Sequence, residues 1–369
     1  MPHPHASTSS SVLPSQYDAR QHVGITAERV TNVSSTDYPG HYPDEDHSWD
    51  LQKFKETLKV KVQSLSNRSI EFDLVGVDAS IANSLRRILL AEVPTIAIEL
   101  VYVWNNTSVM VDEVFAHRLG MIPLNIPPQL MDMRTVNDQP TDRNTVVFKL
   151  NVVCERNPSA PKDSTDPFEL YTNHEVLSSH LKWEPAGEQA TVFEAASLVP
   201  APTNGNIVLN KLRPGQEIDV EMHAVKGVAK DHAKFQAVAT ASYRLLPLII
   251  LNPSKPVPPH LATKFQQCFS PGVIRVDPKT KEVSVDEEGM RKESMSREVL
   301  RHPEFEGCVT LARKRDHFIF NIESEGAYAP EALFLESIKV MREKISVLKR
   351  AVEAFSNSSG DGDIQMEDA

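Results

Sequence analysis

The stretch VGVDASIANSLRRILLAEVPTIAIELVYVWNNTSVMVDEVFAHRLGMIPL, Val75 to Leu124, decides the fold because its periodicity changes along its length. Asp78 suits a helix N-cap, Ile81, Leu85, Ile88 and Leu89 fall on one stripe at helical spacing, and Pro94 ends the run, which predicts a helix. Ile96, Ile98, Leu100 and Tyr102 then recur at strand spacing until Asn105 and Asn106 turn the chain. A second, shorter helix from about Ser108 stops at Gly120. Upstream, Leu58, Val60 and Val62 alternate with Lys59, Lys61 and Gln63, and Ile70, Phe72 and Leu74 alternate with Ser69, Glu71 and Asp73. Asn67 and Arg68 sit between the two runs, so the segment predicts a hairpin of half-buried strands with one wet face. Strand, strand, helix, strand, helix makes an α+β unit.

Further towards the N-terminus the pattern fades. Residues 1–50 mix Ser, Thr, His and Pro with two arginines and seven carboxylates, which predicts a flexible arm whose Tyr38, Tyr42 and Trp49 are free to dock. Towards the C-terminus, residues 125–222 are rich in proline and predict an inserted β-rich domain, with strands at Val146 to Cys154, Thr191 to Phe193, Ile207 to Leu209 and Ile218 to Met222. A Lys and His loop, Lys226 to Lys234, precedes the apolar run Tyr243 to Leu251 and a Pro-rich connector, Asn252 to Pro259. Short strands at Ile274 to Val276 and Phe318 to Ile322 then flank a charged helix near Glu287 to Leu300.

The strongest helical pattern comes last. Pro330 suits the first helical position, and Phe334, Ile338, Met341, Ile345, Leu348, Val352 and Phe355 recur at alternating spacings of four and three, a heptad seam. At roughly 1.5 to 3 kcal/mol per buried anchor, such a seam is worth on the order of 10 to 20 kcal/mol gross. It must pack on its own domain or on a partner's helix, and periodicity alone leaves both open.

Composition narrows the function. With 369 residues the chain has room for two or three domains, and 40 % apolar with 24 % charged residues describes a globular protein. The densest apolar run, Leu245 to Leu251, contains Pro247 and is far shorter than a membrane span, so no membrane role is expected. Met1 to Ser11 shows no secretory signal, and Cys154, Cys268 and Cys308 fit neither a disulfide framework nor a four-ligand metal pattern, which predicts an intracellular chain with reduced thiols. The net charge of −11 is concentrated in the first fifty residues and in Asp361, Asp363, Glu367 and Asp368, leaving a nearly neutral body. Direct nucleic-acid binding is therefore not expected as the main role.

The residues that suggest chemistry do not assemble into a site. KGVAKDHAK, Lys226 to Lys234, lacks the spacing of a phosphate-binding loop. His232 beside Asp231 has no nucleophile elbow, and His117 with Glu113 lacks a third metal ligand. Asp142, Asp163 and Asp166 lie in turn-rich sequence. A stand-alone enzyme built on these residues is the rival reading, but no catalytic, cofactor or metal residue is assigned. Arg86 and Arg87 carry more information: adjacent helix positions diverge by about 100°, so one guanidinium lies beside the apolar stripe while the other reaches outward, suited to carboxylates on a protein partner.

The quoted run closely resembles the alpha-motif of the alpha-like subunits of multisubunit RNA polymerases, and KGVAKDHAKFQAVATASY and RDHFIFNIESEGAYAPEALFLESIKVMREK match the same family. Within it, the runs SREVLRHPEF and RDHFIF resemble the larger alpha-like subunit of the polymerase I and III branch more than its polymerase II paralogue. The resemblance implies a dimerisation domain in two parts, 51–124 and 223–355, an insert at 125–222, a small subregion at 260–323 and an acidic tail at 356–369. It implies a non-catalytic scaffold in the nucleus and nucleolus, supporting transcription of rRNA, 5S rRNA and tRNA. Such a scaffold pairs with a smaller alpha-like subunit and nucleates docking of the second-largest catalytic subunit, with the largest catalytic subunit also among its partners. The interface residues implied are Ile81, Asn83, Leu85, Arg86, Arg87, Ile88, Leu89, Phe334, Ile338, Met341, Ile345, Leu348 and Val352. Two departures stand out: the zinc-binding cysteines of the polymerase II relative reduce here to Cys154, and the region that holds an iron–sulfur cluster in some relatives has too few thiols, so no cofactor is expected.

Overall fold

The computed structural model describes residues 17–33, 46, 48–135, 137–161 and 164–358, with side chains as far as Phe355. In chain order the strands are β1 (His22–Ile25), β2 (Val30–Thr31), β3 (Lys59–Leu65), β4 (Ser69–Val75), β5 (Thr95–Asn106), β6 (Val146–Val153), β7 (Glu155–Arg156), β8 (Tyr171–Thr172), β9 (Glu175–Leu177), β10 (Lys182–Glu184), β11 (Val208–Lys211), β12 (Glu217–Gly227), β13 (Val238–Leu251), β14 (Ile274–Val276), β15 (Val283–Val285) and β16 (Val309–Ser324). The helices are α1 (Leu51–Thr57), α2 (Ala79–Ala91), α3 (Asp112–Gly120), α4 (Pro167–Leu170), α5 (Gln189–Ala195), α6 (Ala262–Gln267) and α7 (Pro330–Ser358). The mixture is α+β. Two compact units result: one takes residues up to Gln63, Phe72–Ala82 and Tyr243–Phe320, the other Ser64–Glu71, Asn83–Ser242 and the chain from Asn321 onward. The expected cuts at 124/125 and 222/223 both fall inside the second unit.

The first unit is organised by β16, which has β1, β4 and β13 as neighbours in a sheet of order β2-β1-β16-β4-β3. Phe72 stacks on Phe320 with ring centroids 5.3 Å apart, and Tyr243 meets Phe318 edge-on at 5.2 Å. The arm expected to be flexible is ordered in part: β1 pairs antiparallel with β16, His22 opposite Lys314 and Ile25 opposite Leu311. Val23 and Ile25 are buried there, and the Arg315 guanidinium holds the Asn32 carbonyl. Two alternating apolar residues joining a preformed sheet need no core of their own, so this strand leaves little trace in composition. Gly24 permits the close approach, since a Cβ there would lie 2.7 Å from the Tyr17 hydroxyl. Tyr38 and Tyr42 lie outside the described residues, and Trp49 packs on Phe54, 4.9 Å between centroids, at the start of α1.

Two expectations for this unit need correction. β3 is not half-buried: all seven of its residues are exposed, because it is the outermost strand of the sheet, while β4 carries the buried side. The charged helix near Glu287 to Leu300 is instead a pair of short 3-10 turns, Gly289–Lys292 and Glu298–Arg301. Met295 and Arg297 adopt left-handed backbone, φ 59° and 63°, which no helix interior tolerates. Between the turns the buried Glu293 accepts the Ser270 and Met295 amide N–H groups, at 2.9 and 2.7 Å.

The second unit has a four-stranded sheet of order β10-β6-β12-β5. The inward residues of β12, Ile218, Val220, Met222 and Ala224, share one core with Phe148, Phe115 and Phe193. Thr191 to Phe193, expected as a strand, lies inside α5. The β-branched run misleads because α5 is fixed by its start: the buried Gln189 side chain donates to the carbonyls of Asp142 and Thr145, both at 2.7 Å. The other expected strands of the region are present as β6, β11 and β12. Cys154, Cys268 and Cys308 are buried free thiols.

Candidate protein interface

Helix α7 begins at Pro330, as its fixed φ favours, and roots itself through residues without exposed surface. Leu333 and Ser337 are fully buried, and the Ser337 hydroxyl donates to the Phe334 carbonyl at 2.7 Å. Lys344 reaches Glu92 at 2.7 Å. From Ile338 onward the apolar seam emerges from the chain. Ile338 is 36 % exposed, Ile345 58 %, Leu348 66 %, Val352 67 % and Phe355 75 %, while Phe334 and Met341 are half-buried. At 1.5 Å per residue, Ile338 to Phe355 is a ridge of about 25 Å. A row of this length is too regular to be the scattered apolar exposure of any protein surface.

Helix α2 behaves differently. Asp78 accepts the Ser80 amide N–H at 2.7 Å, and hydrogen bonds from the Ser80 hydroxyl and amide hold its carboxyl below the ordinary value, which fixes the helix start. Leu85, Ile88 and Leu89 are buried within the chain itself, so this stripe needs no other protein to cover it. Ile81, Asn83 and Arg86 are half-buried, and Arg87 is exposed. Arg86 donates from Nε and Nη2 to the Asn83 Oδ1, at 3.1 and 2.8 Å, which orients its guanidinium along the helix.

The residues of the enzyme reading are occupied with structure. His232 Nδ1 accepts the Lys234 amide N–H at 3.1 Å, and Lys226 donates to the Met131 carbonyl at 3.0 Å. Gly227 sits against Phe235, whose ring a Cβ would meet at 2.7 Å. Asp142 accepts the Glu188 amide N–H at 3.1 Å, and Asp166 caps α4 through the Phe168 amide N–H at 3.0 Å. Asp163 lies outside the described residues. His117 and His232 do line one cavity of about 270 Å³, but its Glu99 is engaged by Lys234 and its lining has no Ser, Cys or Thr. No group of three or more metal-ligating side chains occurs among the described residues.

Comparison with known proteins bears on the ridge. The model of the RNA polymerase Rpb3/Rpb11 dimerisation domain matches residues 71–345. The chain is 49 % identical over 331 residues to the DNA-directed RNA polymerases I and III subunit RPAC1 of Saccharomyces cerevisiae, covering 89 % of this chain and 97 % of that protein. To the human protein of the same name it is 47 % identical over 328 residues, covering 89 % and 94 %. To the DNA-directed RNA polymerase II subunit rpb3 of Dictyostelium discoideum it is 32 % identical over 296 residues, covering 78 % and 92 %. The domain match and these identities together show that the chain belongs to the RNA polymerase Rpb3/Rpb11 dimerisation-domain family, with markedly greater similarity to subunits shared by polymerases I and III than to the polymerase II subunit.

Proposed function

We propose that this chain is a non-catalytic scaffold subunit of nuclear RNA polymerases I and III, which pairs with a smaller alpha-like subunit and then receives the second-largest and largest catalytic subunits. The observation that carries the reading is the exposed seam of α7 in a family defined by dimerisation. Ile338, Met341, Ile345, Leu348 and Val352 supply the pairing surface, extended by Phe334 at its buried root. On α2, Ile81 and Asn83 contribute from the accessible side, Leu85, Ile88 and Leu89 hold the helix rigid from beneath, and Arg86 and Arg87 serve the catalytic subunit. Residues 51–124 and 223–355 act as the dimerisation domain, 125–222 as the insert, and the site of action is the nucleus, including the nucleolus.

Co-expression with the smaller alpha-like subunit tests this. The scaffold reading expects the chain alone to self-associate and the pair to elute as a stable one-to-one complex that captures the second-largest subunit. A chain that stays monomeric and ignores the smaller subunit overturns it.

A further inference from the structure

Strand β5 bulges twice against β12. The register steps from Asn105 opposite Asp219 to Val103 opposite Val220, and from Leu100 opposite His223 to Ile98 opposite Ala224, so Trp104 and Glu99 are each the extra residue. The chain uses one bulge itself, since the Glu99 carboxylate pairs with the Lys234 ammonium. The other turns Trp104 outward, 72 % exposed, beside the exposed Tyr102 and Leu100 on an outermost strand of the sheet. The loop that follows and the first turn of α3 add exposed Val109, Val111 and Val114. This loop is held firmly: the Thr107 amide N–H donates to the Glu217 carbonyl at 3.0 Å, the Glu217 amide N–H to the Thr107 hydroxyl at 2.7 Å, and the Asn106 amide group to Asp112 at 2.6 Å. An aromatic edge fixed before binding loses little entropy when it is covered.

The surroundings select what covers it. The outward residues of β12 next to this edge are Glu217, Asp219, Glu221 and His223, the last packed on the Tyr102 ring with its Nε2 3.1 Å from the Glu221 carboxylate, and Asp112 and Glu113 open α3. Lys149 is already shared between Glu184 at 2.5 Å and Glu221 at 3.8 Å, and Glu217 accepts from Asn105 at 3.0 Å. Asp219, half-buried, has the neutral Asn105 and Asn151 on either side and makes no ion pair among the described residues.

We propose that this edge is a docking surface for an arginine-bearing segment of a partner protein, the guanidinium stacking on the Trp104 indole and donating to the Asp219 carboxylate. Arginine fits better than lysine because its plane stacks on an aromatic face and its fork matches a carboxylate. A nucleic acid is disfavoured, since its phosphates would face carboxylates. The surface is separate from the α7 seam and does not depend on the function proposed above.

The test uses the full-length chain, alone and with its smaller subunit, labelled with 5-fluorotryptophan at its three tryptophans, Trp49, Trp104 and Trp183. Trp104→Phe identifies the resonance. The peptide Ac-Arg-Leu-Arg-amide should shift the Trp104 signal saturably and leave Trp183 in place. Asp219→Asn should weaken that titration about fivefold, and the lysine homologue should bind more weakly. The inference is overturned if Trp104 does not respond, if Asp219→Asn changes nothing, or if the glutamate homologue acts equally well. It is likewise overturned if the signal moves with protein concentration alone, which would make a second copy of the chain the occupant.

Discussion

His317 faces Asp73 inside the first unit, its Nε2 3.6 Å from the carboxylate and beyond hydrogen-bond range, while Gln63 donates to the same carboxylate at 2.8 Å and Arg291 closes the cluster. Burial pushes the imidazole below its ordinary value, outweighing the opposing attraction of Asp73. A histidine depressed in the folded state contributes stability that is complete above the unfolded value, about 6.5, and is lost as the pH falls towards the folded one, because the unfolded chain takes up the proton first. The thermal midpoint should therefore drop between about pH 7.5 and 5.5, and His317→Gln should flatten that slope. His22, depressed by burial in the same direction, is present in both proteins and leaves a residual slope. Removing the partner is harsher: Asp73→Ala should cost about 3 kcal/mol in chemical denaturation, since the mostly buried Arg291 then loses its carboxylate. None of this is legible in the sequence. Asp73 falls on the polar side of an alternating strand and reads as solvated, and Arg291 stands 218 residues away.

Among the elements, α7 separates pairing from folding. Ile345 is exposed in the chain, so Ile345→Asp should move the chain's own unfolding by less than about 0.5 kcal/mol yet bury a charge in the paired state, abolishing co-purification with the smaller subunit at a cost of several kcal/mol. Leu333→Ala should do the reverse, costing the fold about 2 to 5 kcal/mol through a cavity at a fully buried position. If Ile345→Asp unfolds the chain, or pairing survives it, the exposed seam is not the interface. The heptad made α7 readable from its first residue, because long amphipathic spacing has no competing explanation in a strand. α5 and the segment Glu287 to Leu300 depart from their local pattern for a shared reason: each is determined by distant hydrogen bonds, from Gln189 to the carbonyls of Asp142 and Thr145, and from Ser270 to Glu293. Local propensity carries no record of such partners. Spacing locates both helices but does not reveal that the α2 stripe closes within the chain while the α7 seam stays open. Both stripes are apolar residues at helical spacing, and only tertiary packing tells them apart.

For the molecule as a whole, the question is whether one surface serves the small partner and another the catalytic subunit. The exposed Arg87 and the half-buried Arg86 differ in what a charge reversal does. Arg86→Glu also releases the Asn83 side chain that it grips, whereas Arg87→Glu changes an exposed charge and little else. A docking role for this face therefore predicts that Arg87→Glu alone lowers recovery of the second-largest subunit with the pair, that the double change lowers it further, and that both effects are larger at about 50 mM than at about 500 mM salt, where screening weakens the native contact as well. The one-to-one pair should persist throughout, because Ile345, Leu348 and Val352 are untouched. Quantitative co-purification with subunit identification reads both steps in one experiment. Loss of the pair itself would move the arginines into the dimer interface, and full recovery of the catalytic subunit by the double variant would remove them from docking altogether.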